Sequence, residues 1–170
     1  MARESRDALR RPTRRARTTA VEEAAFSREI LLASPAETAA LGARIAASLT
    51  PGDAVALEGD LGAGKTTLAR AILLALGFAD SVPSPTFTLV QRYETPRLTV
   101  AHFDLYRVER EDEIEELGLD DALVEGAVLI EWPEHAGSRL PADALHVQFF
   151  TVDETSRRVR LSGPARWSKL

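Results

Sequence analysis

Eight consecutive residues, Gly59-Asp60-Leu61-Gly62-Ala63-Gly64-Lys65-Thr66, match the pattern G-x-x-x-x-G-K-[ST] at every fixed position, and Thr67 follows directly. Each residue type has a physical reason. Glycines let the backbone bend and bring bare N–H groups close to phosphate oxygens. A helix opening at this point aims the positive end of its dipole at the same anion. Lys65 supplies a charge for the β- and γ-phosphates, and Thr66 offers a hydroxyl to Mg²⁺. Lys65 is one of only two lysines, the other being Lys169. No Asn-Lys-x-Asp guanine-reading motif occurs. The ligand expected is therefore ATP with Mg²⁺, cradled by Gly59 to Thr67.

A phosphate cradle does no chemistry alone. An acid must hold the metal, directly or through water, and a further group must orient the nucleophile. Such groups gather outside the carboxyl ends of buried strands. Val128-Leu129-Ile130-Glu131 is an apolar strand ending in a carboxylate, so Glu131 is the candidate for the metal. Val100-Ala101-His102-Phe103-Asp104 is a weaker version, and Asp104 is the candidate for the catalytic step. Thr86 lies after the cradle's helix, where nucleotide-sensing switches often sit. His102 falls mid-strand, which suits a packed or hydrogen-bonded histidine. Trp132, between Glu131 and Pro133, suits either a core aromatic or an exposed anchor for a partner.

The elements that must position these residues follow from pattern. Phe26 to Leu32 reads as a first strand. Ser34-Pro35-Ala36-Glu37 is a capping box with proline at the first helical position. It opens a helix whose stripe is Leu41, Ile45 and Leu49. Thr50 to Asp53 is a turn, and Ala54 to Glu58 is the strand that leads into Gly59. A helix from Lys65 to Leu76 buries Leu68, Ile72 and Leu76 and ends at Gly77. Ser84-Pro85-Thr86 cannot be helical. Alternation predicts a strand from Phe87 to Tyr93, a turn at Thr95 to Arg97, and a return strand from Leu98 to Asp104. The acidic run Glu109 to Glu116 reads as a short helix with a solvated face, closed by Gly118. Ala127 to Glu131 is a buried strand. Ala144 to Val152 and Arg157 to Leu161 form a closing hairpin. The expected fold is α/β, a P-loop NTPase-like three-layer sandwich with a mixed parallel and antiparallel sheet.

Length and charge set outer limits. The 170 residues suit one domain with a tail, and no apolar run approaches the roughly 20 residues of a membrane helix. Cysteine is absent, which excludes thiol catalysis and zinc-thiolate sites and suits a reducing cytoplasm. Residues 1–20 hold seven arginines against Glu4 and Asp7, a net of +5; the total is −5, so the remainder carries −10. So acidic a body disfavours direct, tight binding to nucleic acid. Residues 1–25 are expected to be a disordered basic tail, 26–163 a P-loop ATPase domain, and 164–170 a C-terminal tail.

Four segments together resemble the TsaE (formerly YjeE) family: Gly59 to Thr67, Ser84-Pro-Thr-Phe-Thr-Leu89, His102-Phe-Asp-Leu-Tyr106 and Ile130-Glu-Trp-Pro133. The first alone would be generic; the other three make the match specific, over about residues 30–161. The resemblance implies a bacterial ATPase needed for threonylcarbamoyl transfer to adenosine 37 of tRNAs that read ANN codons. It implies TsaB and TsaD homologues as partners, with tRNA met only through that complex and no membrane. By motif, Lys65 would contact phosphates, Thr66 and Glu131 would serve Mg²⁺, and Asp104 would act in hydrolysis. Ser84, Pro85 and Thr86 would form a switch-like loop, with Trp132 beside the nucleotide or a partner. The basic tail departs from the compact family pattern.

Two other readings share the cradle. A small-molecule P-loop kinase needs an arginine-bearing lid, and no clear lid segment lies between Leu76 and Glu131. A nucleotide-binding regulatory module would need neither Asp104 nor Glu131 for chemistry. The tail itself gives a test. Residues 1–20 have almost no apolar surface to bury, so ordering them cannot be repaid. Deleting them is expected to leave both melting temperature and ATP turnover unchanged; a fall of more than about 5 °C in a melting curve would mean that the tail docks on the acidic body.

Overall fold

Two faces of apolar side chains on one set of strands decide the layers. A computed structural model describes residues 25–170, so the tail expected over residues 1–25 lies, but for Ala25, outside the described residues. Seven strands form one sheet: β1 (Ala25–Leu32), β2 (Ala54–Glu58), β3 (Val90–Glu94), β4 (Thr99–Asp104), β5 (Gly126–Glu131), β6 (Leu145–Thr151) and β7 (Arg157–Pro164), in the order β1-β7-β6-β2-β5-β4-β3. The four central strands, β6, β2, β5 and β4, run parallel. The outer strands β3, β7 and β1 run antiparallel to their neighbours. The mixed sheet matches the expectation.

Continuous apolar runs suit central strands that are buried on both faces. Val55, Leu57, Leu129 and Val147 pack on one face with Leu41 and Ile45 of helix α1 (Pro35–Ser48) and Leu68 and Ile72 of helix α2 (Lys65–Ala75). Val128, Ile130, Ala101 and Phe103 pack on the other face with Ile114 of α3 (Glu111–Glu116) and Leu119 and Ala122 of α4 (Leu119–Glu125). Three layers result over the centre. The outer strands carry polar and half-exposed side chains on this second side: Arg160 pairs with Glu29 at 2.9 Å, and its guanidinium lies 5.5 Å from the Phe150 ring.

The start of α1 follows the capping pattern. Ser34 Oγ accepts from Glu37 N at 3.3 Å, while the Glu37 carboxylate reaches back to Ala33 N, one residue before the cap. Three expectations need correction. The strand predicted from Phe87 begins only at Val90. Pro85 to Leu89 is instead a turn, closed by Leu89 N donating to Pro85 O at 2.7 Å, with Leu89 at φ 63°. Alternation misled because Phe87 has no face to bury and stands 82% exposed. Gly118 was expected to finish the helical region, but it is the left-handed link (φ 75°) into α4, whose two buried residues are too few to show a period.

The third correction concerns residues 164–170, expected as a tail. They wind through a 3₁₀ turn (Ala165–Trp167) and return to the core, where Trp167 and Leu170 are both buried. Trp167 Nε1 donates to Asp143 O at 3.4 Å, and Arg166 covers the ring at 4.1 Å while pairing with buried Asp53 at 2.9 Å. Trp167→Ala is expected to cost about 3–5 kcal/mol and lower the melting temperature by roughly 10 °C. Calorimetric melting of the variant checks this, and an unchanged transition would mean that the C-terminal turn is not part of the cooperative unit.

A second test follows from the neighbours β2 and β6. His146 Nδ1 lies 2.6 Å from Glu58 Oε1. That hydrogen bond raises the imidazole pKa above its ordinary value, against the opposing effect of burial. A raised folded pKa contributes stability below the unfolded value of about 6.5 and loses it as pH rises through the folded one. His146→Gln is therefore expected to lower the melting temperature more at about pH 5.5 than at about pH 8.5. Equal losses at the two pH values would show that the ion pair adds nothing.

Candidate functional site

The carboxyl ends of β2, β5 and β4 lie side by side because the register pairs Leu57 with Glu131 and Glu131 with Asp104. The chain leaves β2 at Glu58 and enters the phosphate cradle at once. Gly59 (φ 135°) and Gly64 (φ 116°) hold conformations that L side chains rarely adopt, and a Cβ on Gly59 would lie 3.0 Å from Phe149 Cβ. Gly64 caps α2, so the free N–H groups of its first turn face the loop.

A cleft of about 190 Å³ opens over this point. It brings together Leu61, Gly62, Gly64, Lys65, Thr66, Thr67, Ser84, Thr86, Asp104, Glu131 and Trp132, all named from the sequence, and adds Tyr106. Three cradle residues stand apart. Gly59 and Asp60 line a neighbouring groove, and Ala63 is buried beneath the loop.

Two hydroxyl–carboxylate pairs frame the cleft. Thr66 Oγ1, at the start of α2, donates to Glu131, with its oxygens at 2.8 and 3.0 Å. Thr86 Oγ1 donates to Asp104 Oδ2 at 3.0 Å, which leaves the Ser84 hydroxyl to donate to Thr86 Oγ1 at 2.7 Å. Tyr106 N fixes the other Asp104 oxygen at 3.1 Å. Asp104 and Glu131 are both buried. The histidine expected to be packed or hydrogen-bonded is both: His102 is wholly buried, with Nε2 at 2.9 Å from Glu131 Oε1.

Lys65 lines the same cleft. Its Nζ donates to Asp60 O at 2.8 Å and to Gly59 O, and sits 4.0 Å from the centre of the Trp132 ring. Burial pushes its pKa below the ordinary lysine value; Glu131, Asp104, Glu134 and Asp60 oppose that shift. Trp132 is held at φ 58°, uncommon for a bulky side chain, and its ring also meets Tyr106 at 4.9 Å. It is a half-buried wall of the cleft, between the two placements that the sequence left open.

These residues fit a magnesium nucleotide. Among the described residues lining the cleft, Lys65 is the sole cation and faces two buried carboxylates, so a triphosphate entering alone would meet net repulsion. Among the described residues, no three acidic or histidine side chains converge as a closed metal cage. Mg²⁺ held chiefly by water and phosphate oxygens requires none. Thr66 already spends its hydrogen on Glu131, which leaves its oxygen lone pairs to serve a cation.

The sequence reading missed a second concavity of about 170 Å³ across the loop, which shares Gly62, Gly64 and Thr67 with the cleft and is walled by Leu32, Ser34, Phe149 and Arg157. Arg157 Nε also braces the loop by donating to Ala63 O at 3.1 Å. Nothing in the local sequence marks an arginine 94 residues downstream as a support for the cradle. Tyr106 did carry a signal, since it ends the segment His102-Phe-Asp-Leu-Tyr106.

Comparison with known proteins agrees with this geometry. The family model described as "Threonylcarbamoyl adenosine biosynthesis protein TsaE" matches residues 32–159. The tRNA threonylcarbamoyladenosine biosynthesis protein TsaE of Rickettsia bellii is 42% identical over 130 residues, covering 76% of this chain and 90% of that protein. The protein of the same name from Bacillus subtilis is 39% identical over 127 residues, covering 74% and 79%. The crystal structure of Bacillus subtilis YdiB superposes with a TM-score of 0.72 at 29% identity, covering 86% of this chain and 92% of that one. With the fold, the cradle and the sequence match in agreement, the chain belongs to the TsaE family of threonylcarbamoyl adenosine biosynthesis proteins.

Proposed function

We propose that this protein is a Mg²⁺-dependent ATP hydrolase. It serves threonylcarbamoyl modification of adenosine 37 in tRNAs reading ANN codons, in the cytoplasm, through ATP-dependent association with TsaB and TsaD homologues. The observation that carries the reading is the pairing of Thr66 with Glu131 and of Thr86 with Asp104 around one cleft that Lys65 also lines. A nucleotide-binding module without hydrolysis would keep Lys65 and Thr66 and need neither carboxylate for chemistry.

The roles follow from position. Backbone N–H groups from Gly62 to Thr66 receive phosphate oxygens at the start of α2. Lys65 exchanges two backbone carbonyls and the Trp132 face for the β- and γ-phosphates, and the low solvent content of its surroundings strengthens that attraction. Thr66 and Glu131 would hold Mg²⁺, which when bound would neutralise and template the phosphates. Asp104 is free to accept a proton or orient water once Thr86 turns away from it. Leu32 and Phe149 offer an apolar wall to the nucleoside across the loop. The names of the relatives support the tRNA pathway.

Hydrolysis drives a partner cycle only if the two nucleotide states bind the partner with different free energies. Thr86 is the sensor in this reading: it leaves Asp104 for the γ-phosphate or its metal with ATP and returns with ADP. The purified TsaB–TsaD pair is expected to bind the protein at least about tenfold more tightly with a non-hydrolysable ATP analogue than with ADP, about 1.4 kcal/mol. Titration calorimetry measures it. Thr86→Ala should shrink the difference while nucleotide still binds. Lys65→Ala should abolish nucleotide binding with the circular dichroism unchanged. Asp104→Asn should slow turnover by about 10²-fold with binding nearly intact, and Glu131→Ala should weaken Mg²⁺-dependent binding. Equal partner affinity in both states would remove the switch. Turnover in Asp104→Asn at the wild-type rate would remove the assigned hydrolytic role.

A further inference from the structure

His102 is an expensive residue for its place. It sits in β4 among Val100, Ala101 and Phe103, and its side chain is wholly buried. Its strand partner in register is Leu129, so Glu131 lies diagonally across on the same face of the sheet, the face covered by α2. Nε2 is 2.9 Å from Glu131 Oε1, while Nδ1 is buried with no hydrogen-bond partner. A carboxylate only accepts, so the hydrogen of this bond resides on Nε2. The ring thus uses one nitrogen and leaves the other unpaired in the core. Leucine or phenylalanine would fill the space without that penalty, so packing alone does not account for an imidazole here.

The bond has a directional consequence. Glu131 Oε1 is held twice, by His102 at 2.9 Å and by Thr66 at 2.8 Å, whereas Oε2 has Thr66 alone at 3.0 Å. Two donors on one oxygen fix the rotation of the carboxylate plane and leave the other oxygen the less committed. We infer that His102 is a positioning residue for the metal site: its Nε2–H holds Glu131 Oε1 so that Oε2 is presented to Mg²⁺ or to a water of its shell. The inference rests on the magnesium-nucleotide reading of the cleft. It goes beyond that reading by assigning the orientation of the metal-holding carboxylate to a residue that touches neither nucleotide nor metal.

The test separates orientation from packing. A fluorescent ATP analogue is titrated onto the full chain at increasing Mg²⁺, and again in EDTA, with a melting curve for each variant. His102→Phe keeps a flat aromatic ring, somewhat larger, and removes the donor. It is expected to raise the Mg²⁺ concentration for half-maximal binding by about 10–100-fold, the scale seen when a partner of a metal ligand is lost. Binding in EDTA and the melting temperature should stay at or above wild type. His102→Gln can place an amide N–H near the Nε2 position and should return the Mg²⁺ requirement to within about threefold of wild type. His102→Asn is too short to do so and should resemble His102→Phe. If His102→Phe fails to fold, the Gln–Asn pair decides alone. A wild-type Mg²⁺ requirement in His102→Phe or His102→Asn overturns the inference and leaves the proposed function standing, as does His102→Gln with a defect as large as that of Asn. If the wild-type chain itself binds the analogue equally with Mg²⁺ and in EDTA, the magnesium reading falls, and the inference falls with it.

Discussion

The parallel register of β2, β5 and β4 is the constraint on which the site depends. It sets Leu57, Glu131 and Asp104 at one level, so the cradle leaving β2 meets two carboxylates as soon as it turns. Sliding β5 by one residue would point Glu131 at the opposite helical layer, because side chains alternate between faces. Strand order matters as much as register. β5, not β4, adjoins β2, so Glu131 is the acid that Thr66 reaches, and Asp104, one strand further out, is left to the turn carrying Thr86.

Burying so much charge is costly unless each group finds a partner, and the site can be read as a set of such partnerships. Lys65 has two carbonyls and an aromatic face; Glu131 has Thr66 and His102; Asp104 has Thr86 and the backbone N–H of Tyr106. Among the described residues, neither carboxylate is paired with a lysine or an arginine. Lys65 is satisfied by backbone carbonyls, and Asp104 by a hydroxyl and a backbone N–H. Neutral partners can be exchanged for phosphate or metal without stranding an opposite charge in the interior, which breaking a buried ion pair would do.

Local chemistry was legible in the sequence where one residue type has few substitutes. The cradle spacing, the strand-end acids Asp104 and Glu131, and the cap at Ser34 were all readable, because glycine at positive φ, a terminal carboxylate and a capping hydroxyl each serve a purpose that other residues serve badly. What escaped was decided by distant packing. Phe87 and Leu89 alternate like a strand, yet no sheet face awaits Phe87, and the backbone turns so that Leu89 O can receive Asp104 N at 2.9 Å. Trp167 lies in a polar stretch with no period and still fills the core. Arg157 braces the cradle from β7, and His102 binds Glu131 from β4; neither partnership can be read before strand order is known. The strand order itself left no local trace, since apolar runs specify that a strand is central and not which neighbour it takes.

The two hydroxyl–carboxylate pairs differ in stiffness, and that difference places any nucleotide-dependent movement. Thr66 belongs to the first turn of α2, which is anchored by Leu68, Ala69 and Ile72 in the core, and Glu131 ends a strand paired on both sides. Neither can shift without disturbing the sheet. Thr86 belongs to the turn Pro85–Leu89, whose closing bond requires Leu89 at a positive φ that a leucine adopts only under strain. The neighbouring Phe87 is almost wholly exposed, with the Arg107 guanidinium 4.9 Å from its ring. A group drawn away from Asp104 at Thr86 would therefore move an exposed aromatic side chain one residue along, through a segment already held in a costly conformation. The fixed pair suits a metal, which demands constant geometry; the strained pair suits a reporter, which must have a second place to go.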